Sequence, residues 1–193
     1  MRRTSAAAVV VGVLVVGGLS GCGGDPKPKF AHSAAPSPSG VSSSAVPSDD
    51  LAPPEMPEAA KRHTVAGAKA FVRHLVATVN YANSALDSTS LRALMNPGCD
   101  GCRGGVDGID QIAKRKGTIR GGTWRIKQLT AHELTFDGGF RPVEAQLTVE
   151  SEPETITYPA AKKERYPGGI TVSRVVLSPV VGGWRVSNWE VTN

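Results

Sequence analysis

Two cysteines three residues apart, Cys99 and Cys102 in Cys99-Asp100-Gly101-Cys102, have a type and spacing suited to chemistry. Such a pair can close into a disulfide, exchange disulfides with another thiol, or supply half of a zinc site. Exchange needs one thiolate stabilised by a helix N-terminus, usually after a strand. Here the pair follows the turn Asn96-Pro97-Gly98 with no strand before it, and Arg103 is its one adjacent cation. Zinc wants four ligands, and His32, His63, His74 and His132 do not sit at ligand spacing. The expected state is a structural disulfide, worth about 2 kcal/mol for so small a loop, with redox exchange as the alternative. No metal or cofactor is expected. Candidate acids and bases are Tyr81, His74, His132, Asp137 and Tyr158. A turn role explains Asp137 in Asp137-Gly138-Gly139. His74 falls off the apolar stripe of its helix and is expected to be exposed. Tyr81 and Tyr158 read as core residues with a polar end. No pair among them has a spacing that requires catalysis. Gly104-Gly105 and Gly121-Gly122 do not sit in a strand-to-helix phosphate fingerprint and read as loops.

The third cysteine, Cys22, carries different chemistry. Arg2 and Arg3 precede an uncharged apolar run over residues 6–19. A spanning helix needs about 20 residues, so this run reads as the hydrophobic part of an export signal. It ends in Leu19-Ser20-Gly21-Cys22, which resembles a bacterial lipobox. The resemblance implies cleavage between Gly21 and Cys22 and a diacylglyceryl thioether on Cys22; the alternative is an ordinary signal peptide with an incidental Cys22. Two acyl chains anchor a protein stably where one does not. The expected location is the extracytoplasmic face of the bacterial cell membrane, an oxidising setting in which neighbouring cysteines usually pair.

The rest of the chain must position these groups. Of 193 residues, 1–21 form the signal, 22–57 the lipidated N-terminus and a linker, and 58–193 a single domain of ordinary size. That excludes a large multidomain enzyme and a polytopic membrane protein. Residues 23–57 hold eight Pro, seven Ser, five Ala and three Gly. Such a segment cannot bury enough apolar surface to offset its ordering entropy, so it is expected to be a disordered spacer. Residues 58–193 carry 18 basic and 13 acidic residues. Lys114-Arg115-Lys116 with Arg120, Arg125 and Lys127 forms one basic cluster, and Lys162-Lys163 with Arg165 another. Outside the cell, nucleic acid is not an expected partner. Anionic headgroups or an envelope protein or polymer suit positive charge better than nucleic acid does, although such runs are usually a solvated face.

Helices come first. Thr64 is a plausible N-cap, and Val65, Ala68, Val72, Leu75, Val76, Val79 and Ala82 make a helical stripe. Their spacing predicts a long helix over 65–84, bordered by Phe71 and Tyr81, with Lys69, Arg73 and Asn80 off the stripe. A short helix follows through Leu91, Leu94 and Met95, stopped at Asn96-Pro97-Gly98. A third is expected over 106–116, ended by Gly117. Strands are expected over 123–130, 133–136, 141–151, 154–158, 169–178 and 184–192. Trp124, Ile126 and Gln128 are expected on one face. Trp184, Val186 and Asn188 share another, with Trp189 and Val191 opposite. Helices followed by an antiparallel meander indicate an α+β domain, N-terminal helices on a curved antiparallel sheet.

Gly67-Ala68-Lys69-Ala70-Phe71-Val72-Arg73, Asn80-Tyr81-Ala82, Leu91-Arg92-Ala93-Leu94, Pro97-Gly98-Cys99-x-x-Cys102 and the closing Trp184 and Trp189, taken with the lipobox, resemble an actinobacterial lipoprotein family known only as domain of unknown function 6318. The resemblance covers the export signal, the linker style and about 64–193. The order of elements also resembles the NTF2-like or cystatin-like cone, a fold that hosts binders and enzymes alike. The expected role is a non-catalytic, membrane-anchored binding or interaction module. The alternative is an extracytoplasmic enzyme using the Cys99/Cys102 thiols or an acid/base group in the cone.

Overall fold

A computed structural model describes residues 51–159 and 163–192. Gly21, Cys22, the export signal, most of the linker and Lys162 lie outside the described residues. The elements run η1 (Glu58–Lys61), α1 (Val65–Ala85), α2 (Thr89–Ala93), α3 (Asp100–Lys114), β1 (Thr118–Gly121), β2 (Trp124–Glu133), β3 (Val143–Ser151), β4 (Glu154–Thr157), β5 (Glu164–Tyr166), β6 (Gly169–Val180) and β7 (Gly183–Val191). No described helix is long and apolar enough to cross a membrane.

The α+β expectation is met. Strands pair antiparallel in two ladders, β2-β3-β6-β7 and β1-β4-β5. The two ladders are consecutive stretches of one bent ribbon. β1 leads into β2, and β3 into β4, at a shared kink where Gly121 and Gly122 both take φ +77° and Pro153 lacks an N–H to donate. The Gly122 N–H donates to the Pro153 carbonyl at 3.2 Å, and that of Glu152 to the Thr123 carbonyl at 3.0 Å, so the break is bridged.

α1 lies across the inner face, packed on η1, α2, β2 and β3. Thr64 caps it as expected, its hydroxyl accepting from the Gly67 N–H at 3.0 Å. Phe71, Val72 and Leu75 are fully buried among Val143, Leu147, Val175 and Leu177 of the sheet; each such side chain contributes about 1.5–3 kcal/mol of burial. The buried sector is wider than the apolar stripe. His74, expected outside, is buried, with the Thr78 hydroxyl 3.4 Å from its Nε2. Burial holds its pKa below the ordinary 6.5, because the charged imidazolium loses hydration there.

Several boundaries move. α3 begins at Asp100, six residues before the expected start, and ends at Lys114; Lys116, not Gly117, takes the left-handed conformation at φ 55°. The segment expected as a strand over 133–136 is the end of β2 followed by loop, and β1, β5 and η1 are additional elements. Bulges reverse two face assignments. A register shift between Ile126 and Gln128 exposes Gln128 and turns Leu129 inward. A shift opposite Val176 and Leu177 puts Trp189 on the inner face beside Val175, together with Trp184 and Val186. One extra residue in a strand inverts every side chain beyond it.

Candidate functional site

The acid/base candidates do not converge. His74 is inside the core. The Tyr81 hydroxyl faces Asp87 at 3.5 Å. His132 and Asp137 are exposed on β2 and on the β2–β3 loop. Tyr158 is buried with Ile112 and Ile156, and the Arg115 guanidinium stacks 3.8 Å from its ring centroid. Of the six cations in the first basic cluster, two form ion pairs: Arg125 with Glu152 at 2.5 Å and Lys127 with Glu150 at 3.2 Å.

Cys99 and Cys102 form a disulfide with Cα atoms 5.3 Å apart. Cys99 is the N-cap of α3 and Cys102 lies in its first turn, both almost fully buried at 3% and 4% exposure. The bond therefore closes the first turn of the helix. Helix formation is costly at its nucleus, and a covalent first turn removes that cost where the sequence is poor. α3 carries Gly101, Gly104, Gly105 and Gly108, each about 1 kcal/mol worse than Ala in a helix. Gly101 is required by packing, since a Cβ there would collide with the Trp189 carbonyl of β7. At Gly104, Gly105 and Gly108 a Cβ would meet open space.

α3 is tied down along its length by one acid. Asp110 accepts from the Ser88 hydroxyl at 2.6 Å and from Arg92 at 2.7 Å. The Ser88 hydrogen bond, then Arg92, holds its carboxyl below the usual range. Underneath, Cys102, Val106 and Ile109 face the core.

This seating leaves a hollow of about 260 Å³ on one flank of α3. Its walls come from α1 (Val79, Asn83), α2 with the residues after it (Leu91, Met95), α3 (Cys102, Val106) and the two tryptophans of the inner face. Trp124 starts one edge strand and Trp189 belongs to the other, yet their rings meet edge-on at 6.1 Å. Asn80 fixes the first of them: its side chain donates to the Trp124 carbonyl at 3.0 Å and accepts from the Trp124 N–H at 2.9 Å. Asn80 thus acts in positioning, a role its place off the helical stripe did not reveal. The lining is almost wholly apolar, and none of the five acid/base candidates contributes to it. Among the described residues, no cluster of three or more His, Cys, Asp or Glu could hold a metal. The arrangement can exclude water from an apolar group and stack it on indole.

On the other flank of α3 is a more polar hollow of about 380 Å³, edged by Arg92, Arg103, Arg185 and Asp107. It shares Met95, Cys102 and Val106 with the first. The residues after α2 hold this region to edge strand β7: the Asn96 N–H donates to the Val186 carbonyl at 2.8 Å, and the Val186 N–H to the Leu94 carbonyl at 2.9 Å. This pairing ends α2 at Ala93, before the Asn96-Pro97-Gly98 stop.

The sequence profile of a family described as "Family of unknown function (DUF6318)" matches residues 42–193. No curated protein matches. Among solved structures, the chain is similar to the intermembrane space region of the chloroplast protein ARC6, at 14% identity and TM-score 0.45 over 67% of this chain and 97% of that one. It is similar to Aln2 from a Streptomyces species at 18% identity and TM-score 0.39, covering 63% and 87%. An uncharacterised protein with a cystatin-like fold from Caulobacter vibrioides matches at 12% identity and TM-score 0.39, covering 63% and 87%.

Proposed function

The chain belongs to this family of unknown function, and from that premise we propose that it is a non-catalytic binding module, lipid-anchored on the extracytoplasmic face of the membrane, that takes an apolar ligand in the hollow beside α3. The observation that carries the reading is the lining: two tryptophans, aliphatic side chains and a disulfide sulfur around about 260 Å³, with no titrating group among the lining residues. Small-molecule sites are usually concave and lined mainly by apolar and aromatic side chains, as this hollow is. The anchor rests on Leu19-Ser20-Gly21-Cys22 and the apolar run before it. Cys22→Ser is expected to move the protein out of the membrane fraction; retention there contradicts the anchor.

The pocket is tested with 1-aminoanthracene, a neutral fluorescent hydrophobe, added to the full chain carrying Cys22→Ser so that no detergent competes. Saturable, one-to-one enhancement is expected, and Gly105→Leu, which extends a side chain into the hollow, is expected to abolish it. Non-saturable enhancement, or enhancement that survives Gly105→Leu, contradicts the reading.

Thiol exchange at Cys99 and Cys102 has one observation in its favour, the position of Cys99 at the N-terminus of a fifteen-residue helix, which stabilises a thiolate. Burial of both residues opposes it, since exchange needs access for an attacking thiolate. A reduction potential below about −300 mV marks a structural bond, and one near −120 to −200 mV an exchange site.

A further inference from the structure

Phe136 and Phe140 stand half exposed, at 55% and 49%, on the loop between β2 and β3, and Val181 is fully exposed on the turn between β6 and β7. Phe71, the one other described phenylalanine, is wholly buried. Gly138 and Gly139 take φ +90° and +80° and turn the loop so that its two rings meet at 6.4 Å. Strand register puts both turns at one end of the sheet: Val143 opposes Glu133 on one side and Leu177 on the other, and Val180 pairs with Gly183. There Phe140, Pro179 and Trp184 border one hollow of about 240 Å³ together with His63. The chain enters the domain at this same end. The Trp184 indole N–H donates to the Arg62 carbonyl at 3.1 Å, and His63 Nε2 donates to the carbonyls of Val180 and Gly183 at 3.0 and 2.7 Å. Residues 23–50 separate Cys22 from the first described residue, Leu51, and a chain of that length reaches at most about 100 Å.

We propose that this end of the domain docks on the bilayer that holds the anchor, with Phe136, Phe140 and Val181 seated at the level of the lipid headgroups. This rests on the reading that Cys22 carries the anchor, and it adds the face that meets the membrane. Apolar and aromatic side chains gain by leaving water at the boundary between headgroups and acyl chains. A tether makes that docking an intramolecular step at high effective concentration, so a shallow insertion suffices. Asp137 at the loop tip, and the Arg141–Glu133 pair at its base at 3.3 Å, keep the insertion shallow, because an unscreened charge is costly below the headgroups. A protein partner fits this end less well. At about 150–250 Å² for a whole ring, two half-exposed rings and one valine fall short of the roughly 800 Å² per partner of a standard protein interface.

The test uses the anchored full chain, purified from membranes and reconstituted into phosphatidylcholine vesicles brominated near the top of the acyl chains. Phe136→Trp puts an emitter on the loop. Tyr166→Trp puts one on β5, another exposed ring, beyond the kink at the opposite end of β3. Bromine quenches tryptophan on contact. The emission added by Phe136→Trp is expected to shift to the blue and to be mostly quenched, and that added by Tyr166→Trp to remain. Adding Phe140→Ser and Val181→Ser to Phe136→Trp is expected to restore most of the lost emission. Absent quenching at Phe136→Trp, equal quenching at both positions, or quenching that survives the two serines overturns the docking face while a chain that floats with the vesicles keeps its anchor. A blue shift without quenching that grows with protein density overturns it in favour of contact between copies. A chain that does not float with the vesicles removes the anchor, and this inference with it.

Discussion

α1 and α3 are both amphipathic helices on the inner side of the sheet, and they are built on opposite principles. α1 has 21 residues, one glycine and ten buried positions. α3 has 15 residues, four glycines and four buried positions. α1 is held by its own packing: Phe71, Val72 and Leu75 are wholly enclosed. α3 is held by attachments, the Cys99–Cys102 bond at its start and Asp110 near its end. Four glycines cost such a helix roughly 3–4 kcal/mol against alanine, and the disulfide offsets about 2 kcal/mol. Along α1 the core is closed except at its C-terminal end, where Val79 and Asn83 border the apolar hollow; α3 has a hollow on each flank. The difference separates scaffold from site: a helix that packs everywhere stabilises the domain, and one that is pinned at two points leaves room beneath it.

The largest effect that sharpens this contrast is on α1. Phe71→Ala is expected to cost about 3–5 kcal/mol in urea unfolding, as one cooperative transition. A loss under about 1 kcal/mol would remove α1 from the role of scaffold. The double variant Cys99→Ser, Cys102→Ser is expected to cost about 2 kcal/mol. Its damage should be local, with amide exchange rising throughout α3 before α1. Equal loss of protection in both helices breaks the comparison.

Smaller effects come from the glycines. Gly104→Ala and Gly105→Ala are each expected to stabilise by about 0.5–1 kcal/mol, because neither Cβ meets an atom. Only Gly105 lines the apolar hollow, so only Gly105→Ala should weaken 1-aminoanthracene binding. Equal loss in both would mean that the ligand sits elsewhere. The smallest effect is pH dependence from α1. His74 is held below 6.5 by burial, so the unfolded chain binds its proton first. Stability should fall as pH drops below 6.5 and continue to fall until the folded pKa is reached. Glu154, raised by burial, acts with the opposite sign lower down, where protonation relieves its buried charge. His74→Gln should flatten the slope above the carboxylate range, whatever it does to overall stability; an unchanged slope assigns that dependence to another group.

What was legible in the sequence followed from period and composition. The α1 stripe and its Thr64 cap, the order of helices before strands, and the closing Trp184 strand were readable because each is a local pattern. α3 was half hidden. Gly101, Gly104 and Gly105 read as loop because propensity opposes a helix there, and a disulfide and a contact with β7 override propensity without leaving a local mark. The bulges at Ile126/Gln128 and opposite Val176/Leu177 were equally silent, and the second decides the site: without it Trp189 faces away from Trp124. His74 failed for a related reason, since burial from two sides is wider than a stripe predicts. Asn80 gains its role from a partner distant in sequence, Trp124, 44 residues away.

The measurement that tests the central claim most directly is tryptophan quenching by decanoate brominated near the end of its chain, in the full chain with Cys22→Ser and Trp184→Phe so that only Trp124 and Trp189 emit. Bromine quenches on contact, and both remaining rings border the hollow. The account predicts deep, saturable quenching that Gly105→Leu abolishes. Quenching that is absent, or that survives Gly105→Leu unchanged, would show that α3 does not roof a binding site.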